Sequence, residues 1–267
     1  AHGTHLYFGE GLPLSAMKAG ADMSAVSIHK TGGSLTQSSI LLLGKGADAE
    51  GVRQTINLTQ STSGSYLLMA SLDIARKNLS LNGKEIFAKV LSLASYARQE
   101  VNKLEGFRAF GRDIINGDTV FDFDETKLSV HTRAMGLAGI EVYDILRDEF
   151  GIQIEFGDIG NILAIISVGD RELEIERLLG ALSEIKRRFS KEPMNMLDHE
   201  YINPLVAMSP QKAFYADKRT VAITQSSGKI SAELVMAYPP GIPILAPGER
   251  ITEEIIDYIR YAKEKGC

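Results

Sequence analysis

An apolar run, Met23 to Ile28, breaks into a lysine-bearing turn and a Gly-Gly pair, after which the chain returns to apolar residues at 38–43. This stretch, with Val26-Ser-Ile-His-Lys-Thr-Gly-Gly-Ser-Leu-Thr-Gln-Ser-Ser39 at its centre, constrains the chain more than any other. Short apolar runs bounded by glycines read as buried strands. Loops at strand ends are where binding and catalytic groups gather. Ser27, His29, Thr31 and Ser34 surround Lys30 with neutral or weakly basic donors, and donors of that kind bind a phosphate. The ordinary alternative, a lysine that is only a solvated loop charge, does not require these neighbours.

An amine beside a phosphate cradle meets the needs of pyridoxal phosphate. The amine condenses with the aldehyde, and the cradle holds the phosphate tail. Burial of Lys30 would favour its neutral, nucleophilic form. The spacing Ser27-x-His29-Lys30-Thr-Gly-Gly-Ser-x-Thr-Gln-Ser-Ser39 resembles the cofactor-lysine signature of the bacterial ornithine/lysine/arginine decarboxylases. These are pyridoxal phosphate enzymes of the aspartate aminotransferase fold. Ala1-His2-Gly3-Thr4-His5 is similar to the tail of the family's Asp-Glu-Ala-His-Gly segment. Asn57-Leu-Thr-Gln-Ser-Thr-Ser-Gly-Ser65 resembles its second hydroxyl-rich loop, and Tyr238-Pro-Pro-Gly-Ile-Pro-Ile-Leu-Ala-Pro-Gly-Glu249 its C-terminal-domain segment. The resemblance runs along essentially the whole chain.

It implies an α/β fold: the second half of a mostly parallel-sheet cofactor domain over residues 1–105, bridging helix included, then a smaller α+β domain over 106–267. It also implies roles. Lys30 is the cofactor lysine. His29 touches the cofactor phosphate or the substrate carboxylate, the alternative being a structural histidine. Ser27 contacts the phosphate, or satisfies a turn. His2 lies near the pyridine ring. Thr62 and Ser63 help to bind the phosphate across a dimer interface, or cap a helix that starts near Gly64. Substrates of the family carry a distal cation, which needs a carboxylate partner when buried. Glu249 is the favoured candidate and Glu233 the second, each with a solvated charge as the alternative. His5 is expected in packing or at the surface. His131 and His199 have no metal-ligand partner at useful spacing, so no metal is expected.

In the family an aspartate two residues before the matching alanine pairs with the pyridine nitrogen. That position precedes Ala1, as does the half of the cofactor domain with the ring-stacking aromatic and a phosphate loop. The chain therefore reads as part of a longer polypeptide, not expected to hold the cofactor properly alone.

At 267 residues the chain has room for one large or two ordinary domains. Net charge is −5, which favours neither nucleic acid nor an anionic membrane. The single Cys267 excludes an internal disulfide framework and suits a reducing cytoplasm. No apolar run approaches the roughly 20 residues needed to span a bilayer, and no signal peptide is visible.

Strands are predicted at 23–28 and 38–43, and helices at 64–78 and 83–104. The second helix places Ile86, Val90, Leu93, Ala97, Val101 and Leu104 on one face. A strand at 127–132, a helix at 138–149, strands at 152–156 and 161–167 and a helix at 171–189 follow, the last with Leu173, Leu178, Leu182 and Ile185 inward. A short helix near 210–216 starts at Ser209-Pro210. The proline-rich segment from Tyr238 to Gly248 excludes a regular helix or central strand.

Val120-Phe-Asp-Phe-Asp-Glu-Thr126 also fits the Asp-x-Asp-x-Thr pattern of haloacid-dehalogenase-type phosphatases, in which one aspartate is a nucleophile beside Mg²⁺. It precedes a predicted strand instead of following one, and no later Asp pair completes a metal site. An acidic, solvated linker is the expectation. The expected activity is pyridoxal-phosphate-dependent decarboxylation of a basic amino acid, with Lys30 or His29 as proton donor. Gly136-Leu-Ala-Gly-Ile-Glu-Val-Tyr-Asp144 and Gly157-Asp-Ile-Gly-Asn-Ile-Leu163 resemble the shorter Gram-positive members. Those are often arginine decarboxylases making agmatine for polyamine synthesis, so arginine leads, with lysine and ornithine as alternatives. A homodimer or larger homo-oligomer is expected. The rival from another class is a non-catalytic subunit that keeps the fold as a binding or assembly module.

Overall fold

The computed structural model describes residues 3–189, 202–238, 241–264 and 266. His2, His199 and Cys267 lie outside the described residues. The chain divides into two compact units: residues 1–99, 110–128 and 165–177 form the first, and residues 100–109, 129–164 and 178–267 the second.

The first unit begins with a 3-10 turn, Thr4–Tyr7. Strand β1 (Met23–Ser27) leads straight into a one-turn helix, α1 (Ile28–Thr31), and strand β2 (Ser39–Leu43) follows. β1 and β2 pair antiparallel, Met23 opposite Leu43 and Ser27 opposite Ser39. The mostly parallel sheet expected from the sequence is thus corrected for these two strands. Their connection, residues 28–38, is shorter than the dozen or more residues that a parallel crossover needs, so the chain turns back on itself. The pairs β3–β4, β5–β6 and β7–β8, whose ranges follow, are antiparallel as well.

One face of β1–β2 is sealed by a small core. Val26, Ile28 and Ala75 are buried, with Tyr7, Ile40, Leu42 and Leu72 packed against them. On the other face Met23, Leu41 and Leu43 are exposed. Helix α2 (Ala49–Thr59) has no buried residue. Asp48 accepts a hydrogen bond from the Gly51 N–H at its start, 3.0 Å, which is an N-cap signal. Helix α3 (Tyr66–Lys103) is continuous for 38 residues, where the sequence suggested two helices. Gly83 and Asn82 weaken the local preference for helix. Gly83 is nevertheless inside α3, and Phe8 lies against it, so that a Cβ there would sit 2.7 Å from the Phe8 ring. The buried stripe of α3 in this unit is Ala75, Leu79, Phe87, Val90, Ala94 and Ala97.

The second unit contains most of a four-stranded sheet in the order β3 (Arg108–Ala109), β4 (Lys127–His131), β6 (Asn161–Ile165), β5 (Phe156–Gly157). Burial alternates along β4 and β6, so each strand presents one face to the core. Helix α4 (Gly139–Phe150) starts with Glu141 Oε2 accepting from the Ala138 N–H, 2.7 Å. It buries Ile140, Val142 and Leu146. Helix α5 (Glu172–Phe189) buries Ile175, Leu178, Leu182 and Ile185, whereas Leu173, expected inward, is 59% exposed. Helix α6 (Pro210–Tyr215) is capped by Ser209. Strands β7 (Val235–Ala237) and β8 (Ile242–Leu245) form a two-stranded ribbon, in which every strand is an edge and Pro243 is tolerated. Helix α7 (Glu253–Glu264) closes the chain. No helix among the described residues is long and apolar enough to cross a membrane.

Candidate active site

Lys30 sits on α1, the single helical turn between β1 and the Gly32-Gly33 pair. The turn exists because β1 ends at Ser27 and the chain must reverse: the Gly32 N–H donates to the Ile28 carbonyl, 2.7 Å, and closes it. His29 ties the turn to the start of β2. Its backbone N–H and its Nδ1 both reach the Ser38 carbonyl, at 3.3 and 2.9 Å. A carbonyl only accepts, so Nδ1 carries the proton, and Nε2 of the neutral ring holds the lone pair.

Ser27 and His29 are half-buried and Lys30 is exposed, which departs from the burial expected for a cofactor lysine. After the turn, Ser34 Oγ and Ser38 Oγ are buried with no hydrogen-bond partner among the described residues. Buried hydroxyls normally find a partner. Two of them on the loop that follows Lys30 are the donors a phosphate ester takes up, so these residues fit a phosphorylated aldehyde cofactor.

On the opposite side the turn meets the 3-10 segment. Thr4 Oγ1 donates to the Ser27 carbonyl, 3.2 Å, and His5 Nδ1 lies 3.3 Å from Thr31 Oγ1. His5 is 1% exposed, and its Nε2 lies 2.7 Å from Asp124 Oδ2. Thr126 Oγ1 donates to Asp124 Oδ1, 2.7 Å, and Lys127 Nζ is 3.1 Å from Oδ2. Burial pushes the Asp124 carboxyl up. The hydrogen bond and charge of His5, the charge of Lys127 and the Thr126 hydroxyl outweigh it and hold the carboxyl far below the usual carboxylate range. Asp124 is therefore ionised.

Arg98 holds the loop in which Asp124 sits. Its Nε donates to the Phe110 carbonyl, 2.6 Å, and Nη2 to the carbonyls of Glu125 and Lys127, 3.1 and 3.0 Å. Its guanidinium lies over the Phe123 ring, 5.5 Å from the centroid. Burial lowers the Arg98 pKa despite the charges of Glu125, Asp124 and Asp113. The solvated linker expected at 120–126 holds for the exposed Phe121 and Asp122 and is corrected for its second half, since Thr126 is buried and Asp124 is internally paired. His5 is likewise more than packing. The sequence carried no signal for the pair, because its two members are 119 residues apart.

The other predicted residues stand elsewhere. Thr62 and Ser63 are exposed in the first unit, and the Ser63 N–H donates to Ser61 Oγ, 3.1 Å. Neither caps α3: Ser65 does, accepting from the Leu68 N–H at 3.4 Å. Glu249 and Glu233 belong to the second unit and share Ser231. The Ser231 N–H donates to the Glu249 carbonyl and its hydroxyl to the Glu233 carbonyl, both 2.8 Å. Glu249 is half-buried, and its Oε2 accepts from the Ala246 N–H, 2.8 Å, while Glu233 is exposed. Gly248, before Glu249, has φ +93 and lies against the Met208 carbonyl, so a side chain there would collide with backbone. Among the described residues no group of three His, Cys, Asp or Glu could hold a metal ion.

A family model described as Orn/Lys/Arg decarboxylase, major domain, matches residues 1–174, and one described as Orn/Lys/Arg decarboxylase, C-terminal domain, matches residues 193–266. The arginine decarboxylase of Bacillus subtilis is 44% identical over 263 residues, 97% of this chain and 54% of its own length. That of Halalkalibacterium halodurans is 44% identical over 272 residues, 100% of this chain and 55% of its own length. The crystal structure of the Francisella novicida lysine decarboxylase is similar in fold, with a TM-score of 0.79 at 21% identity, over 98% of this chain and 48% of that one. The chain spans about half the length of the curated relatives it matches.

Proposed function

The chain belongs to the Orn/Lys/Arg decarboxylase family, and from that premise we propose that it is the lysine-bearing portion of a pyridoxal-phosphate-dependent enzyme that converts arginine to agmatine and CO2. The observation that carries the reading is the α1 turn, which presents Lys30 beside two buried hydroxyls, Ser34 and Ser38, that lack partners among the described residues. Arginine is favoured over lysine and ornithine by the arginine decarboxylases that match at 44% identity. Agmatine formation would serve polyamine synthesis in a reducing cytoplasm.

Lys30 supplies the amine that anchors the cofactor aldehyde. Ser27, Ser34 and Ser38 hold the phosphate from one subunit, and Thr62 and Ser63 reach it from the second subunit of a homodimer. Pyridoxal phosphate, when bound, supplies the ring that takes up the electrons left on the α-carbon as CO2 departs. His29 Nε2, left available because Nδ1 is held on Ser38, takes up a proton from solvent and in that protonated form would donate it to that carbon or hydrogen-bond the departing carboxylate. Glu249 keeps Oε2 on its own turn and turns Oε1 to the guanidinium, while Glu233 is the second candidate. The division of the chain at residue 105 belongs to the same proposal. So does the cover for Lys30 and for the exposed Met23, Leu41 and Leu43, which comes from polypeptide beyond this chain.

The test is product identity. The intact protein, loaded with pyridoxal phosphate and offered arginine, lysine and ornithine separately, is expected to release agmatine with a kcat/KM about ten-fold or more above those for the other two products. Faster turnover of lysine or ornithine would reject the arginine assignment. Cofactor binding without turnover of any of them would favour the non-catalytic binding module.

A further inference from the structure

Two adjacent residues of the Thr4–Tyr7 turn hold the two ends of the four-residue helix that carries Lys30. Thr4 takes the start, through the Ser27 carbonyl, and His5 the end, through Thr31 Oγ1. Thr4 also packs on Gly32, where a Cβ would lie 3.0 Å from its Cγ2. We propose that His5, locked by Asp124, is a positioning residue that sets the aim of the Lys30 amine through Thr31. The proposal rests on the reading of Lys30 as the cofactor lysine.

The donor order follows from the acceptor at the far end. An ionised Asp124 can only accept, so His5 Nε2 carries the proton and donates to Oδ2 across 2.7 Å. Nδ1, at the other end of the ring, is 3.3 Å from the Thr31 hydroxyl, so the ring links Asp124 to Thr31. A hydroxyl hydrogen-bonded in one fixed direction holds the Thr31 side chain in one rotamer, and Thr31 is the backbone neighbour of Lys30. Lysine has a four-carbon stem with wide rotamer freedom, and the backbone beneath it is one source of restraint on its aim. A well-packed apolar pair would fill the space of His5 and Asp124 at lower desolvation cost. What the polar pair adds is direction.

Thr31→Val keeps the shape and removes the hydroxyl, and Thr31→Ser restores the hydroxyl. In the intact protein loaded with pyridoxal phosphate, Thr31→Val is expected to lower kcat about ten-fold, because small misplacements of a reacting group are costly, with KM for arginine within about two-fold. The visible circular dichroism band of the bound cofactor, which reads its orientation independently of turnover, is expected to weaken to about half. Thr31→Ser should recover both, and melting temperatures should stay within about 4 °C. Wild-type kcat and dichroism in Thr31→Val would overturn the proposal. So would losses that Thr31→Ser leaves uncorrected. If borohydride reduction of the wild-type protein leaves no cofactor adduct on Lys30, the functional reading itself fails, and the positioning role with it.

Discussion

The turn that carries Lys30 is held by residues far away in the chain, whereas the hydroxyl-rich loop at 61–65 is held by itself. His5, Thr4, Ser38 and, through His5, Asp124 fix the first. In the second, Ser61 takes the Ser63 N–H and Ser65 caps the helix that follows. Both stretches are short and rich in hydroxyls, and both match the family pattern. The difference teaches that a motif can be complete in sequence while only one part of it is built by the fold around it. A loop held by its own neighbours is free to be shaped by a second subunit. The two carboxylates repeat the contrast on a smaller scale: Glu249 is held by Ala246 and half-buried, while Glu233 is exposed.

The largest effect is expected at the anchored turn. Lys30→Ala should lower kcat for arginine decarboxylation by about a thousand-fold or more, measured as CO2 release, since no other group replaces the amine.

Next come the carboxylates. Removing one member of a buried charge pair costs about 2–5 kcal/mol, so Glu249→Gln should reduce kcat/KM for arginine roughly 30-fold or more with cofactor absorbance unchanged. Glu233→Gln should stay near wild type. If the two results are exchanged, the exposed carboxylate is the one that meets the substrate, and anchoring does not mark the functional residue.

Asp124→Asn tests the anchor itself. A hydrogen bond to a charged group contributes about 1.5–3 kcal/mol, and urea unfolding at pH 7 should show a loss of that order. The pH dependence has a definite sign. The Asp124 carboxyl in the folded chain is held below its ordinary value, so on acidification the unfolded chain takes up the proton first. Its stabilisation is complete above the ordinary carboxylate range near pH 4 and fades as pH falls towards the depressed value. The gap between wild type and Asp124→Asn should therefore be widest near neutrality and narrow below about pH 4. A gap that does not change with pH would mean that packing, not charge, is what Asp124 contributes.

The smallest effect belongs to the self-held loop. Thr62→Ala and Ser63→Ala should change unfolding free energy by less than about 0.5 kcal/mol. In the assembled protein, each should weaken cofactor affinity about five-fold, the worth of one hydrogen bond. Equal affinity in variant and wild type would leave the loop with a local role only.

Much of this could be read directly from residue order. The strands at 23–28 and 38–43 stood out as apolar runs, and Lys30 as a lysine among hydroxyls. The antiparallel pairing did not, because strand direction is a relation between segments; only the shortness of residues 28–38 hinted at it. Gly83 looked like a break until Phe8 was seen against it. Helix α2 went unread, although Asp48 marks its start and Val52 and Ile56, one turn apart, stand on its half-buried side. Helix α7 carried a plainer signal that went unread: Thr252 Oγ1 accepts from the Ile255 N–H, 3.2 Å, ahead of Glu253 and Glu254. The His5–Asp124 pair was out of reach, since an aspartate in an acidic stretch looks solvated until the fold supplies its partner.

The central claim is that Lys30 anchors the cofactor, and borohydride reduction followed by peptide mapping tests it most directly. The intact protein loaded with pyridoxal phosphate should be yellow, and reduction should abolish the absorbance band and leave the adduct on the peptide containing Lys30. An adduct on any other lysine, or none, would contradict the account.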